Sequence, residues 1–342
     1  MIDLSTSYMG LKLKNPLVIG ACNIVSDLND IVKLEEAGAA AVVYKSLFEE
    51  QIQLEAHQMD QEMEAYEGWD SEHDSMFPTA NHAGPRAHLL KLKKAKQTLC
   101  IPVIGSINCV NTDKWAEFAV AVADTGVDAL ELNFYANIID ADRTGEDIVK
   151  EQLDTLQAVK EVVKIPIAVK LSPYYTNTLS VVTRMGKAGA DGFVLFNKLF
   201  QPDIEVAREE HHYPYNFSNP NEGRLALRYA GLLYDQIGAS IISSSGVFTG
   251  SDIAKMTLAG ADAVQVVSAI YKKGMSHIEH MLQELTSWMI TKEYQTLNDF
   301  RGKLSRAKMG DPFAYKRAQY VDILMKSEIF MKYHPKDGEE LH

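Results

Sequence analysis

The chain has 342 residues, of which 46% are hydrophobic and 23% charged, the balance of a soluble globular protein and not of a fibrous or disordered one. Its 34 basic and 46 acidic side chains leave a net charge of −12, which argues against wholesale binding to nucleic acid or anionic membrane but is silent about a small-molecule site. No run of about 18 apolar residues predicts a membrane span, the N-terminal stretch lacks the basic and apolar regions of a signal peptide, and the three cysteines (Cys22, Cys100, Cys109) form no CxxC pair, so reduced thiols in a cytoplasmic protein are expected.

Taken in chain order, short β-branched runs alternate with amphipathic stretches. The strands are expected at Pro16–Gly20, Ala41–Lys45, Pro102–Ser106, Ala129–Asn133, Ile165–Lys170, Gly192–Asn197, Ala239–Ser243 and Ala263–Val267. Most are continuous apolar runs, as parallel strands covered on both faces require. Between them, Ser26–Ala37 places Ile31, Leu34 and Ala37 on one helical face, Thr112 is expected to cap a helix ending near Thr125, and Glu146–Val163 carries Leu153, Leu156 and Val159 at helical spacing. The phrases EEAGAAAVV, ADTGVDALEL, GKAGADGFVL and TLAGADAVQV repeat one device, a helix stopped at Gly with small or acidic residues leading into the next strand. Eight such units predict an α/β fold, a (β/α)8 TIM barrel, with the whole of 1–342 as one domain ending in a helical extension after Trp288. A doubly wound sheet is the structural alternative, disfavoured because no GxGxxG follows the first strand.

Two connections exceed plain loops: Ser46 to Arg86, acidic and Met-rich, and Lys198 to Gly223. Both follow the C-terminal end of a strand, the catalytic face of a barrel, and are expected to be lids over its mouth. At the same face Lys45, Asn133, Lys170 and Asn197 end strands two, four, five and six. Two cations and two amides suit an anionic, planar, amide-rich ligand. Strand seven runs into Ser243-Ser244-Ser245-Gly246 and strand eight into Val267-Ser268, small residues where barrels commonly seat a phosphate. A phosphate at strands seven and eight with lysines opposite is the layout of a flavin mononucleotide (FMN) enzyme.

These residues carry a resemblance to the dihydroorotate dehydrogenase family of FMN-containing barrels, from Leu4 to about Leu304. NPLVIGA is similar to the family's opening strand motif, Tyr44-Lys45-Ser46 to its TKS, Glu131-Leu132-Asn133 to the start of ELNLSCPN, AVKLSPY to VKLPPY, IISSSGVFTG to IIGTGGIxTG, VQVVSAIYKKG to LQIGTALxxEG, and YQTLNDFRGKL to a tail motif. GSINCVNTDKWAEFA also resembles the FMN domain of dihydropyrimidine dehydrogenase. The resemblance implies FMN as cofactor, hydride transfer from dihydroorotate or a related dihydropyrimidine, and a part in pyrimidine biosynthesis. It places Lys45 beside flavin and substrate, and Gly20, Ala21, Ser46, Asn133 and Lys170 around the ring. Ser245, Gly246, Val267 and Ser268 fall on the phosphate, and Asn81, Gly84 and Asn197 on the substrate. It implies a soluble electron acceptor, such as fumarate or a partner subunit, and a possible homodimer. The lack of a CxxC set argues against an iron–sulfur cluster in this chain.

The departures concern the base. The family's NLSCPN supplies a cysteine or serine that takes the substrate's C5 proton, a contribution of roughly 10²–10⁴ in rate. Here the stretch is Asn133-Phe134-Tyr135-Ala136-Asn137, and Ala136 cannot accept a proton. Tyr135, one residue earlier, His82 in the loop similar to the family's NSMG, and Cys109 after strand three are the residues open to that role; Lys45, Tyr135 and His82 form the candidate catalytic set. Two other readings remain: a divergent FMN protein with another substrate or no turnover, and a non-redox phosphate-binding barrel using Lys170 as a Schiff-base lysine.

Overall fold

The computed structural model describes residues 2–50, 85–136, 139–199, 201–214, 216–311 and 313–326. The chain opens with an antiparallel hairpin, β1 (Thr6–Tyr8) and β2 (Leu11–Leu13). There follow β3 (Leu17–Ile19), β4 (Ala41–Val43), a two-residue β5 (Leu47–Phe48), β6 (Val103–Asn108), β7 (Ala129–Asn133), β8 (Ile167–Leu171) and β9 (Gly192–Leu195). An exposed hairpin, β10 (Asp203–Glu205) and β11 (Glu210–His212), lies in the next connection, and β12 (Ser240–Ser244) and β13 (Ala263–Val266) complete the set. Strands β3, β4, β6, β7, β8, β9, β12 and β13 pair in parallel, and β13 returns to β3 while β4 pairs with β6, closing an eight-stranded barrel. The predicted (β/α)8 barrel is therefore the architecture observed.

The helices are α1 (Leu28–Glu36), α2 (Pro85–Thr98), α3 (Thr112–Ala123), α4 (Gly145–Val162), α5 (Thr178–Lys187), α6 (Gly223–Leu233), α7 (Gly250–Ala259), α8 (Ser268–Lys273), α9 (His277–Thr291) and α10 (Arg317–Met325). Helix α3 begins one residue earlier than the sequence suggests: Asn111, not Thr112, is its N-cap. The tail after α9 is mostly short 3-10 turns, with Leu297 and Phe300 buried, before α10. No described helix is long and apolar enough to cross a membrane.

Alternation along each strand divides the core in two. One set of side chains, including Leu130, Leu132, Val169 and Phe193, packs outward under the helices. The other is a small cluster inside the barrel, with Val18, Ala41, Ala129, Ala168, Val194, Ile242 and Ala263 packed around Tyr8, Met9 and Leu13 of the hairpin. The alanines leave room for these residues, which plug the end of the barrel opposite the mouth. A Cβ on Gly192 would lie 2.8 Å from Met9 Cγ and 2.9 Å from Tyr8 Cε2, so the plug needs glycine there.

The repeated Gly-to-strand phrase has a double use. Gly38, Gly126, Gly189 and Gly260 stop their helices with φ between +87° and +131°. The aspartates that follow, Asp128, Asp191 and Asp262, each accept a hydrogen bond from an N–H at the start of a neighbouring strand (Val103, Ile167 and Ile241, each 2.8 Å). Each also pairs with a base: Lys96, Lys160 and Arg301 respectively. One carboxylate thus staples helix, turn and strand together at three points on the barrel's floor.

Candidate functional site

A cavity of about 540 Å³ opens at the C-terminal ends of the strands, within the usual size of a small-molecule site. Ala21, Lys45, Ser46, Asn133, Tyr135, Lys170, Asn197, Ser245, Gly246, Val267 and Ser268 all line it. Residues spread over 248 positions or fewer in sequence meet there because the closed barrel points every strand end to one mouth. Gly20 is not among the lining residues; a Cβ there would lie 2.8 Å from Val267 Cγ2 and 3.0 Å from Gln265 Oε1, so its role is to leave those side chains their places. Asn81, His82 and Gly84 lie outside the described residues.

On the floor, Lys170 from β8 is buried and its Nζ donates to Gln265 Oε1 at 2.7 Å, while Gln265 Nε2 donates to Glu131 Oε2 at 2.7 Å. On one wall Asn197 Nδ2 donates to Asn133 Oδ1 at 2.8 Å, which leaves the Asn133 amide nitrogen and the Asn197 oxygen available to a ligand. Ser46 and Ser106 hydroxyls share a hydrogen bond of 2.7 Å on the opposite side.

The turn after β12 has an unusual backbone. Ser245 and Gly246 both adopt positive φ, +72° and +73°, at the edge of the cavity. Ser218, from the long connection after β9, sits against it: the Gly246 N–H donates to Ser218 Oγ (3.2 Å), and the Ser218 N–H donates to Ser268 Oγ (2.9 Å). Lys272 Nζ holds the strap by donating to the Ser218 carbonyl at 3.0 Å. The sequence offered no signal for Ser218, which lies in an irregular segment. Gln265 and Glu131 did carry one, as inward polar residues inside apolar strands.

Among the groups weighed as base, Ala136 lines the cavity beside the half-exposed Tyr135. Cys109 also lines it, but burial, aided by the charges of Glu49 and Glu50, pushes its thiol well above the ordinary range, so at neutral pH it holds its proton. Burial likewise raises the Cys22 thiol. The buried Glu49 anchors the loop after β6, accepting from the N–H groups of Val110 (2.8 Å) and Asn111 (3.0 Å) and from the Asn111 side chain. Among the described residues, no cluster of three or more His, Cys, Asp or Glu is placed to hold a metal ion.

Residues 77–289 match the family model described as dihydroorotate dehydrogenase. The chain belongs to the dihydroorotate dehydrogenase family. Relatives named "Dihydroorotate dehydrogenase B (NAD(+)), catalytic subunit" include those of Thermoplasma volcanium, 27% identical over 88% of this chain and 98% of the relative, and Thermoplasma acidophilum, 26% identical over 88% and 99%. The relative of the same name from Methanocaldococcus jannaschii is 27% identical over 87% of this chain and 97% of its own length. The dihydroorotate dehydrogenase match thus reaches from α2 through β13 to α9, covering the lysine and asparagine strand ends from Asn133 onward and the Ser245–Ser268 stretch.

Proposed function

We propose that the chain binds FMN in this cavity and oxidises dihydroorotate or a related dihydropyrimidine. The observation that carries the reading is the meeting of Lys45, Asn133, Lys170 and Asn197 in one cavity with the positive-φ turn at Ser245–Gly246. Bound FMN would supply the acceptor of the substrate's hydride. The N–H groups of the turn, with Val267 and Ser268 opposite, would hold its phosphate, joined by Ser218. Lys170 and Asn133, with Ala21 and Ser46 at the sides, would hold the ring, Lys170 facing the pyrimidine edge that gains negative charge on reduction. Lys45 stands where it can serve ring and substrate, and the free polar atoms of Asn133 and Asn197 match the donor and acceptor of a cyclic amide. Asn81 and Gly84 complete the proposed substrate set.

The proton is the step on which this chain departs from the family. Ala136 contributes no base, and the Cys109 thiol, held protonated, is unsuited to accept one. Tyr135 and His82 remain the proposed candidates. Ala136 also favours a second reading, an FMN protein whose substrate differs from dihydroorotate or which does not turn over. The Schiff-base reading of Lys170 fares worse, because that chemistry needs a free amine and Lys170 Nζ is engaged by Gln265 and lies 3.8 Å from Glu131 Oε1. The relatives' names support NAD(+) as the eventual oxidant, reached with the help of another subunit.

Flavin absorbance of the purified protein, with mass spectrometry of the released cofactor, tests FMN binding; a colourless chain that takes up no FMN refutes it. Anaerobic mixing with dihydroorotate and with other dihydropyrimidines then identifies the substrate by flavin bleaching. His82→Ala or Tyr135→Phe should slow that bleaching while leaving FMN bound, whichever residue is the base.

A further inference from the structure

The interior of the barrel changes character just below the cavity. Val18, Ala168, Val194 and Ile242 belong to the apolar cluster inside the barrel, and next to them in register lie Gln265, Glu131 and Lys170, all buried. Lysine has only donors and a carboxylate only acceptors, so one orientation of the Gln265 amide satisfies both: oxygen to Lys170, nitrogen to Glu131. Among the described residues, Glu131 Oε1, 3.8 Å from Lys170 Nζ, has no hydrogen-bond partner, and the Tyr8 hydroxyl of the plug has none either. A buried ion pair with an unsatisfied carboxylate oxygen is a poor stabiliser, since a well-packed apolar layer of the same volume does as well or better. What this arrangement does provide is an ammonium held at one place with a negative charge behind it.

We propose that Glu131 and Gln265 are positioning residues that fix Lys170 beneath the flavin and set the flavin's reduction potential. The inference rests on the FMN reading above. Glu131 opposes part of the positive potential that Lys170 presents to the ring. Two-electron reduction puts negative charge on that side of the ring, so removing the carboxylate charge leaves Lys170 unopposed and favours the reduced form. Gln265 acts differently: without its oxygen Lys170 loses its tether and the ring loses an aligned partner.

The experiment compares wild type, Glu131→Gln and Gln265→Met, each loaded with FMN. FMN affinity is read by fluorescence quenching, potential by anaerobic reductive titration against a reference dye, and folding by circular dichroism. Glu131→Gln should favour reduction about tenfold, a rise of about 30 mV for a two-electron couple, with FMN affinity near wild type. Glu131→Asp, which keeps the charge, should return the potential toward wild type. Gln265→Met should weaken FMN binding about tenfold or more, which keeps the proposal testable if Glu131→Gln does not fold. Potential and affinity unchanged in folded variants, or a lowered potential in Glu131→Gln, would overturn this inference alone. A wild type that takes up no FMN overturns the FMN reading and this inference with it.

Discussion

Gly246→Ala probes the turn after β12 and the packing behind it in one substitution. Gly246 has φ +73°, and a Cβ built there would lie 2.2 Å from the backbone nitrogen of Gly223 and 2.8 Å from its Cα, at the start of α6. Backbone cannot swing aside as a flexible side chain can, so either the β12–α7 turn or the α6 terminus has to move. The left-handed conformation costs alanine about 1–2 kcal/mol. Forced overpacking adds about 1–3 kcal/mol, for a total of roughly 2–5 kcal/mol. At about 2–4 °C per kcal/mol, Tm should fall by roughly 4–20 °C. Gly10→Ala is the control: its φ is +81°, but among the described residues nothing lies within 4 Å of a Cβ there, so it isolates the conformational cost. Its Tm should fall only by about 2–8 °C. Thermal unfolding followed by circular dichroism gives both values, and an FMN titration of Gly246→Ala should show weakened binding. A Gly246→Ala protein no less stable than Gly10→Ala would refute the close approach of the two loops.

Other expected outcomes follow from single contacts. Ser218→Ala leaves the Gly246 N–H without its acceptor, a cost of about 1–3 kcal/mol, and FMN phosphate should restore it, so the Tm gain on adding FMN should be larger in the variant than in wild type. Burial works to raise the Glu49 carboxyl, but hydrogen bonds from Asn111 and Val110 outweigh it and hold it below 4.5. Its contribution is therefore present above about pH 4.5 and lost as pH falls through the lower folded value, so the Tm difference between wild type and Glu49→Gln should shrink on acidification below that point. A constant difference would exclude the role. A thiol reagent at pH 8 should label the exposed Cys100 quickly and Cys109 only on unfolding, as peptide mapping by mass spectrometry would show.

The barrel was legible because its signals are local and periodic. β7 coincides with the apolar run read at Ala129–Asn133, and the other barrel strands, β6 with its extension to Asn108 included, begin and end within two residues of theirs. The Gly-and-acid phrases mark helix ends because φ near +100° is open to glycine at little cost. The polar strand ends Lys45, Asn133, Lys170 and Asn197 were legible for the same reason, since a charged or amide side chain closing an apolar run has few places to go except the mouth. The N-terminal hairpin went unread: three-residue strands carry too little pattern, and what fixes them is burial of Tyr8 and Met9 inside the barrel.

Sequence alone thus determined the architecture, the family resemblance and which strand ends face the mouth, because alternation and helix stops depend on neighbours a few residues away. The tertiary structure decided which partners those side chains meet. Gln265 reaches Lys170 across 95 positions and Glu131 across 134, and Ser218 reaches the Gly246 amide from another loop. Hydrogen bonds at that separation follow from barrel closure and strand register, which bring inward side chains of β7, β8 and β13 together. The sequence could name Lys170; only the fold shows the amide and the carboxylate that hold it.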